Sequence, residues 1–196
     1  MYRAPWVLLT FALILPGDGL VGQVPDGGGL STFVGVHFPD EAAGFHVTQA
    51  TRYPDPSLGI GLTYGSERAR MDITVYVYPV SPGEPEDLAG AEFDRGWQEL
   101  QEYTASQREG VELELGDVEP WEVTTPDGTR FAGRRGEGTL RMGATALSTW
   151  LYVFVKGDSY IKYRVTLERA SRRLLAPDLE AFVARTLERI EGPARP

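Results

Sequence analysis

Residues 148–167 constrain the fold more than any other part of the sequence. They form two runs rich in β-branched and aromatic residues, STWLYVFV and YIKYRVTL, separated by KGDS at residues 156–159. Such runs predict strands, and the short connection containing glycine predicts a hairpin. Because the connection has an even length, Val155 is expected opposite Tyr160 and Tyr152 opposite Tyr163.

Side chains alternate along a strand, so this register assigns every residue of the hairpin to a face. One face carries Trp150, Tyr152, Phe154, Ile161, Tyr163 and Val165. The other face carries Leu151, Val153, Val155, Tyr160, Lys162 and Arg164. Both faces hold large apolar groups, which predicts a sheet covered on both sides for much of its area.

The rest of the chain predicts further strands and two helices. Strands are expected at residues 32–38, 45–51, 59–64, 72–78 and 129–137, and from Val111 until Pro120 interrupts the run. TPDG at residues 125–128 predicts a turn. The first helix is expected over 84–108, with an apolar stripe of Ala89, Phe93, Trp97, Leu100 and Thr104.

The second helix is expected over 177–190, with Pro177 at its first position and Gly192 after its end. Its stripe comprises Leu179, Phe182, Val183, Thr186, Leu187 and Ile190. The order of strands, helix, strands, helix predicts an α+β fold, a largely antiparallel β-sheet flanked by two main helices. Residues 31–192 are expected to form this single domain.

The first 22 residues are typical of an export signal. A positive charge at Arg3 precedes a run of about 12 mostly apolar residues that ends before Pro16. This run is too short to span a bilayer, which takes about 20 residues. Cleavage after Gly19 or after Gly22 fits the small-residue rule, and residues 23–30 follow as a flexible lead-in. The mature chain is therefore expected to be periplasmic or extracellular, with no stable membrane span.

Composition excludes several classes of function. The chain has no cysteine, which rules out disulfides, cysteine–zinc sites, iron–sulfur clusters and thiol catalysis. Its net charge of −9 argues against general nucleic-acid binding. The charge is uneven, because residues 81–120 carry 12 acids and two arginines. This asymmetry predicts either a solvated acidic helix or orientation towards a charged partner.

No arrangement for catalysis, metal binding or a cofactor emerges from the motifs. His37 and His46 are the only histidines, and their spacing from Asp40 and Glu41 matches no metal motif. The sequence contains no GxSxG, no GxxxxGK[ST] and no GxGxxG after a strand. We therefore predict no catalytic residues, no metal site and no cofactor.

Four basic residues are the candidates for binding. Lys162 and Arg164 lie two apart in a strand and share a half-apolar face, where a cation needs a partner. That partner can be an anionic ligand, another protein, an acid of the same chain or water. Arg134 and Arg135, within GRRGEG at residues 133–138, are candidates for contact with an anion, the alternative being a plain bulged strand or loop.

The element order over residues 33–191, with its GTRFAGRRGEG strand, hairpin and closing DLEAFVARTLERI helix, resembles the PsbP-like fold. The resemblance implies an αβα sandwich and a mostly non-catalytic domain that binds other proteins. It supplies no ligand residues to carry over. The acidic first helix and short lead-in depart from the plant proteins, so no photosynthetic role is implied.

The sequence thus predicts an exported, non-enzymatic domain that binds an unknown protein partner in the cell envelope. Two alternatives stay open. The aromatic hairpin can line the cavity of a small-molecule or lipid carrier. An enzyme that uses carboxylates with histidine requires His37 or His46 to face a cleft within hydrogen-bond reach of a carboxylate or hydroxyl.

Overall fold

A computed structural model describes residues 20–22, 30–66, 71–81, 86–107 and 111–192. The predicted export signal and lead-in therefore lie outside the described residues, except for Leu20–Gly22 and Leu30. The strands are β1 (Leu20–Gly22), β2 (Leu30–Phe33), β3 (Val36–Pro39), β4 (Glu41–Ala42), β5 (Phe45–Arg52), β6 (Ile60–Gly65), β7 (Asp72–Pro79), β8 (Val111–Thr124), β9 (Arg130–Met142), β10 (Thr145–Lys156) and β11 (Ser159–Glu168). The helices are α1 (Leu88–Gln107) and α2 (Arg172–Arg189).

The strands form one antiparallel sheet and one separate hairpin. Within the described residues, the sheet has nine strands in the order β1-β5-β6-β7-β11-β10-β9-β8, with β4 also paired to β5, while β2 pairs only with β3. The β5-β6-β7 meander and the β8-β9-β10-β11 meander meet where β7 pairs with β11, from Ser159 opposite Pro79 to Thr166 opposite Asp72. We call this junction the seam.

The predicted hairpin register is confirmed. Val155 pairs with Tyr160 and Tyr152 with Tyr163. The turn itself contains only Gly157 and Asp158, because Lys156 and Ser159 are already paired. Gly157 has a φ of 58°, in the left-handed region that glycine adopts without strain and that primed two-residue hairpin turns require.

The helices cover opposite faces, so the predicted αβα arrangement is confirmed. α2 packs with β3, β4 and β11 above the larger core. The core residues of that face in β7, β10 and β11 are Ile73, Val75, Val77, Trp150, Tyr152, Phe154, Ile161, Tyr163, Val165 and Leu167. α1 packs mainly on β8, β9 and β10. Its smaller core comprises Phe93, Trp97, Leu100, Leu151, Val153 and Tyr160.

Three local predictions are wrong. Residues 32–38 are not one strand, since Val34 (φ 53°) and Gly35 (φ 79°) form a tight turn between β2 and β3. A β-branched residue at positive φ is rare, which hides the turn in the sequence. Pro120 does not interrupt β8 but lies within it, opposite Arg134. β8 is an edge strand, where proline costs no ladder hydrogen bond if its nitrogen faces outward.

The second helix begins earlier than predicted. Arg169–Ser171 form a short 3₁₀ turn and α2 starts at Arg172, so Pro177 is inside the helix rather than at its first position. Proline there removes one hydrogen bond to the carbonyl four residues back. Arg173, at that position, is exposed, and water can replace the missing donor. The predicted apolar stripes of both helices are buried, except for half-buried Ala89.

Candidate functional site

A buried carboxylate on α1 connects the helix to the seam. Glu92 is 2% exposed. Its Oε1 accepts a hydrogen bond from the Tyr78 hydroxyl and one from Lys162 Nζ at 3.0 Å, while Arg95 pairs with its Oε2. These four residues form the Glu92 network. They come from β7, α1 and β11, so a single carboxylate ties the helix to both meanders.

The Lys162 ammonium group lies close to two tyrosine rings and two carboxylates. Its Nζ lies 5.7 Å from the ring centre of Tyr76 and 5.1 Å from that of Tyr78, within the range of a cation–π contact. Glu99 Oε2 lies 3.9 Å from the same nitrogen. The side chain is 14% exposed. Of the partners that the sequence left open for Lys162, the structure provides acids of the same chain.

Arg164 lies beside Lys162 on the same face, 8% exposed, opposite Thr74 and Leu151. Its positive charge lowers the pKa of Tyr76, but burial has the larger effect and raises that pKa above its usual range. Burial likewise raises the pKa of Tyr78, with the negative charge of Glu92 adding to the effect. Both hydroxyls are therefore protonated at neutral pH and available as hydrogen-bond donors.

Tyr53 stacks on Tyr76, with ring centres 6.4 Å apart and ring planes at 23°. Gly61, opposite Tyr76 in the sheet, makes room for this arrangement. A Cβ atom at Gly61 would lie 2.8 Å from the Tyr53 hydroxyl oxygen. Burial raises the pKa of Tyr53 well above its usual range as well.

These side chains surround an open cavity of about 180 Å³, which we call the tyrosine cavity. Its lining residues are Tyr53, Ser57, Leu58, Tyr76, Tyr78, Pro79, Ser81, Glu92, Arg95, Gly96, Glu99, Leu100, Leu151, Tyr160, Lys162 and Arg164. Pockets for drug-sized ligands measure roughly 300–1,000 Å³. The volume suits one side chain better than a lipid, so this cavity gives the carrier hypothesis no support.

Arg134 and Arg135 point to opposite faces of the sheet. Arg134 pairs with Asp87 at 2.6 Å, beside a second open depression of about 460 Å³ at the start of α1. Arg135 Nε donates to Glu119 Oε1 at 3.0 Å, and its guanidinium carbon lies 5.3 Å from the Trp121 ring centre. The structure therefore brings Lys162 and Arg164 together and separates Arg134 from Arg135.

The two histidines lie outside both cavities. His37 is exposed, its Nδ1 lies 2.7 Å from Thr32 Oγ1, and its backbone pairs with Glu191. His46 is exposed on β5. Among the described residues, no group of three or more histidine, aspartate or glutamate side chains is placed to hold a metal ion. Neither described helix combines the length and apolar character needed to cross a membrane.

Sequence reasoning missed Glu92, Glu99 and the three cavity tyrosines at 53, 76 and 78. One available signal was the row Glu92–Gly96–Glu99, which runs beside the apolar stripe of α1 at helical spacing. Gly96 lies close to Lys162. A Cβ atom there would lie 3.6 Å from Lys162 Nζ. In this protein the two acids of that row face Lys162 beneath the helix.

Comparisons with known proteins identify the fold. No family model matches the chain, and no curated protein matches it. The solution structure of cyanobacterial PsbP (CyanoP) from Synechocystis sp. PCC 6803 superposes with a TM-score of 0.55 and 12% identity, covering 83% of this chain and 96% of that one. LpqN of Mycobacterium tuberculosis, involved in cell envelope biogenesis, gives a TM-score of 0.38 at 8% identity, over 85% of this chain and 82% of that one. The chain therefore has the PsbP-like fold, as its element order predicted.

Proposed function

We propose that this protein is an exported, non-catalytic domain that binds a protein partner in the cell envelope through the tyrosine cavity. The observation that carries the proposal is the placement of Tyr53, Tyr76, Lys162 and Arg164 around one opening. α1 packs mainly on the β8–β10 half of the sheet, and this opening lies beside the helix over β7 and β11. Tyrosine and arginine in partly desolvated pockets are the side chains that dominate binding energy at protein interfaces.

The chemistry of the cavity supports binding rather than catalysis. Glu92 already accepts hydrogen bonds from Lys162 and Tyr78 and pairs with Arg95, so its carboxylate is engaged in holding the helix to the sheet. Catalysis by general base or nucleophile needs a group poised to exchange a proton near neutral pH. The raised pKa values of the cavity tyrosines keep them protonated there. Absence of enzyme activity stays a prediction.

Export rests on the first 22 residues, with their positive start and short apolar run. Expression of the full-length chain in a bacterial host, followed by fractionation and N-terminal sequencing, tests it. We expect a shortened protein in the periplasm or medium. Full-length protein in the cytoplasm would overturn this part of the proposal.

Photo-crosslinking in intact cells of the source organism tests the binding surface. A benzoylphenylalanine at Tyr53, half-buried at the cavity, is expected to give one discrete crosslinked product. The matched control is the same group at Phe131, half-buried near the other edge of the sheet. Products of equal size and yield at both positions, or none at 53, would contradict the proposal. In an Arg164→Gln background the product at 53 is expected to disappear.

A further inference from the structure

We infer that the outer edge of β8 accepts an extended, basic segment of a partner protein as an additional strand of the sheet. This inference goes beyond the proposed function and uses a different surface, since no residue of β8 lines the tyrosine cavity. The segment that carries it is 111–115, which we call the β8 edge.

The backbone of β8 is open on one side. β8 ends the strand order of the large sheet and, among the described strands, pairs only with β9. It has 14 residues, whereas β1 at the opposite end of the sheet has 3. An edge strand presents a row of N–H and C=O groups with which another chain can pair. Proteins recognise extended peptides by adding them to such an edge, where backbone hydrogen bonds supply the affinity.

The β8 edge is the part of this strand with regular geometry. It pairs in unbroken register with residues 138–142 of β9, and the register then shifts between Leu115 and Val118. Pro120, which has no N–H to donate, follows within the strand. The residues before the shift therefore keep the backbone geometry that a further strand needs.

Side chains of the β8 edge alternate in chemistry and in exposure. Leu113 and Leu115 are half-buried and pack against the smaller core beneath α1. Glu112 and Glu114 are exposed and belong to the other face. An added strand would cover the part of each leucine that is still in water, and burial of apolar surface favours association. Its own side chains would alternate between this apolar side and the acidic side.

Charge selects the partner. β8 carries five acids and no base, and these acids are Glu112, Glu114, Asp117, Glu119 and Glu122. Glu114, Glu119 and Glu122 pair with arginines of β9, and ion pairs that are open to solvent contribute little. The carboxylates of Glu112 and Asp117 have no side-chain partner in the part of the chain that the structure describes.

This distribution of charge disfavours a second copy of the chain as the occupant. Two β8 strands side by side would place acids opposite acids, which is unfavourable across a strand pair. Lysine or arginine on an incoming strand would instead lie close to Glu112 and Glu114. The fitting partner is therefore an extended segment in which lysine or arginine alternates with valine, isoleucine or leucine.

The experiment titrates the mature protein with the peptide acetyl-KVKVKVK-amide and follows its NMR spectrum and its amide hydrogen exchange. We expect saturable shifts in β8 and β9, and about tenfold slower exchange of the outward-facing amides of residues 111–115, because a new strand accepts their hydrogen bonds. The peptide acetyl-KVKPKVK-amide keeps the charge but lacks the central donor, and it should bind about ten times more weakly. The peptide acetyl-EVEVEVE-amide should not bind, because its acids would face those of β8.

Two double variants separate the β8 edge from the net charge of the protein. Glu112→Gln/Glu114→Gln removes two charges from the edge and should weaken binding of acetyl-KVKVKVK-amide about fivefold. Glu102→Gln/Asp178→Asn removes two charges from exposed positions on the helices and is the matched control. It should bind the peptide like wild type.

Equal binding of the alternating and the proline-containing peptides would overturn the inference, because attraction by charge alone would then explain the binding. Unchanged amide exchange of residues 111–115 with about 1 mM peptide would overturn it, as would equal weakening by the two double variants. Dimerisation of the protein alone, with protection of the same amides, would assign the β8 edge to a second copy and overturn it too. Failure of this test leaves the crosslinking test at Tyr53 unaffected, so the two proposals fail independently.

Discussion

The two faces of the sheet are held to their helices in different ways. α2 covers a continuous apolar layer in which Phe182 is fully buried and meets the rings of Phe45, Tyr64 and Tyr163. α1 covers a smaller apolar cluster and adds a buried carboxylate with two cations and a tyrosine hydroxyl. Apolar packing is non-directional, whereas an ionic network fixes position at a cost in desolvation. We infer that the α2 face supplies stability and the α1 face supplies a site.

The largest expected effect tests the apolar face. Phe182→Ala should lower the free energy of unfolding by about 4 kcal/mol, since it empties a ring-sized volume in the core. Leu174→Ala, on the same helix but 79% exposed, is the control. It should change the stability by less than about 0.5 kcal/mol. Denaturant unfolding of both variants measures the difference, and similar values would contradict the division of roles between the faces.

The next effect tests the ionic face. Glu92→Gln should cost about 2–3 kcal/mol, because it removes the buried negative charge that faces Lys162 and Arg95. That is below the usual cost of breaking a buried pair because Arg95 is half exposed. The double variant Glu92→Leu/Lys162→Met removes both charges and should return to within about 1 kcal/mol of wild type. A double variant as unstable as Glu92→Gln would mean that the network itself stabilises the fold.

A smaller effect is expected at the start of α1. Asp87 Oδ1 accepts the Gly90 N–H at 2.9 Å, and Asp87 Oδ2 pairs with Arg134 at 2.6 Å. Asp87→Ala should therefore cost about 1 kcal/mol as a lost helix cap. Calorimetry at neutral pH measures this change. Glu86→Ala, one residue before the cap, is the control and should stay within about 0.5 kcal/mol of wild type.

The same aspartate should give a small pH dependence. The hydrogen bond and charge of Arg134, together with the Gly90 N–H, lower the pKa of Asp87 below its ordinary value of 3.8. Because the pKa of Asp87 is lower in the folded state than in the unfolded state, its ionised carboxylate stabilises the fold above pH 3.8. This contribution is lost as the pH falls through the pKa of the folded state. The stability difference between wild type and Asp87→Asn should therefore shrink between pH 5 and pH 2. A constant difference over that range would contradict the assignment.

The smallest change in stability is expected at Gly61. Gly61→Ala places a methyl group against the Tyr53 hydroxyl, and the flexible end of that side chain can move aside. We expect the free energy of unfolding to change by less than about 1 kcal/mol. Alanine restricts the unfolded chain more than glycine does, and this gain offsets the cost of moving the Tyr53 ring. Partner binding at the tyrosine cavity should nevertheless weaken, since the Tyr53–Tyr76 stack is displaced. Unchanged capture of the partner by this variant would show that the stack plays no part.

Local patterns made much of the fold predictable. The register of the β10–β11 hairpin followed from its connection length, and the helix stripes followed from spacing. The prolines predicted the boundaries of strands and helices poorly. Pro120 and Pro177 both lie inside elements that they were expected to bound, because an edge strand and a solvated helix turn tolerate the missing donor.

The candidate site was only half predictable. Lys162 and Arg164 stood out because cations on an apolar strand face need partners. Glu92, 70 residues away from Lys162 along the chain, could not be assigned as the partner without knowing that α1 lies beside the seam. Arg134 and Arg135 are neighbours in sequence, yet strand geometry sends them to different faces.

The seam between β7 and β11 also has a consequence for how the protein folds. Each meander brings together strands that are close in sequence, whereas the paired residues Tyr76 and Lys162 are far apart in the sequence. Pairing of distant segments is slow, because the entropy cost of closing a long loop comes before the contacts that stabilise the pairing. Folding of this chain should therefore proceed through two early, locally built halves and one late joining step. Tyr78 and Lys162 both donate hydrogen bonds to Glu92 at that junction, so the tyrosine cavity forms only in the last step.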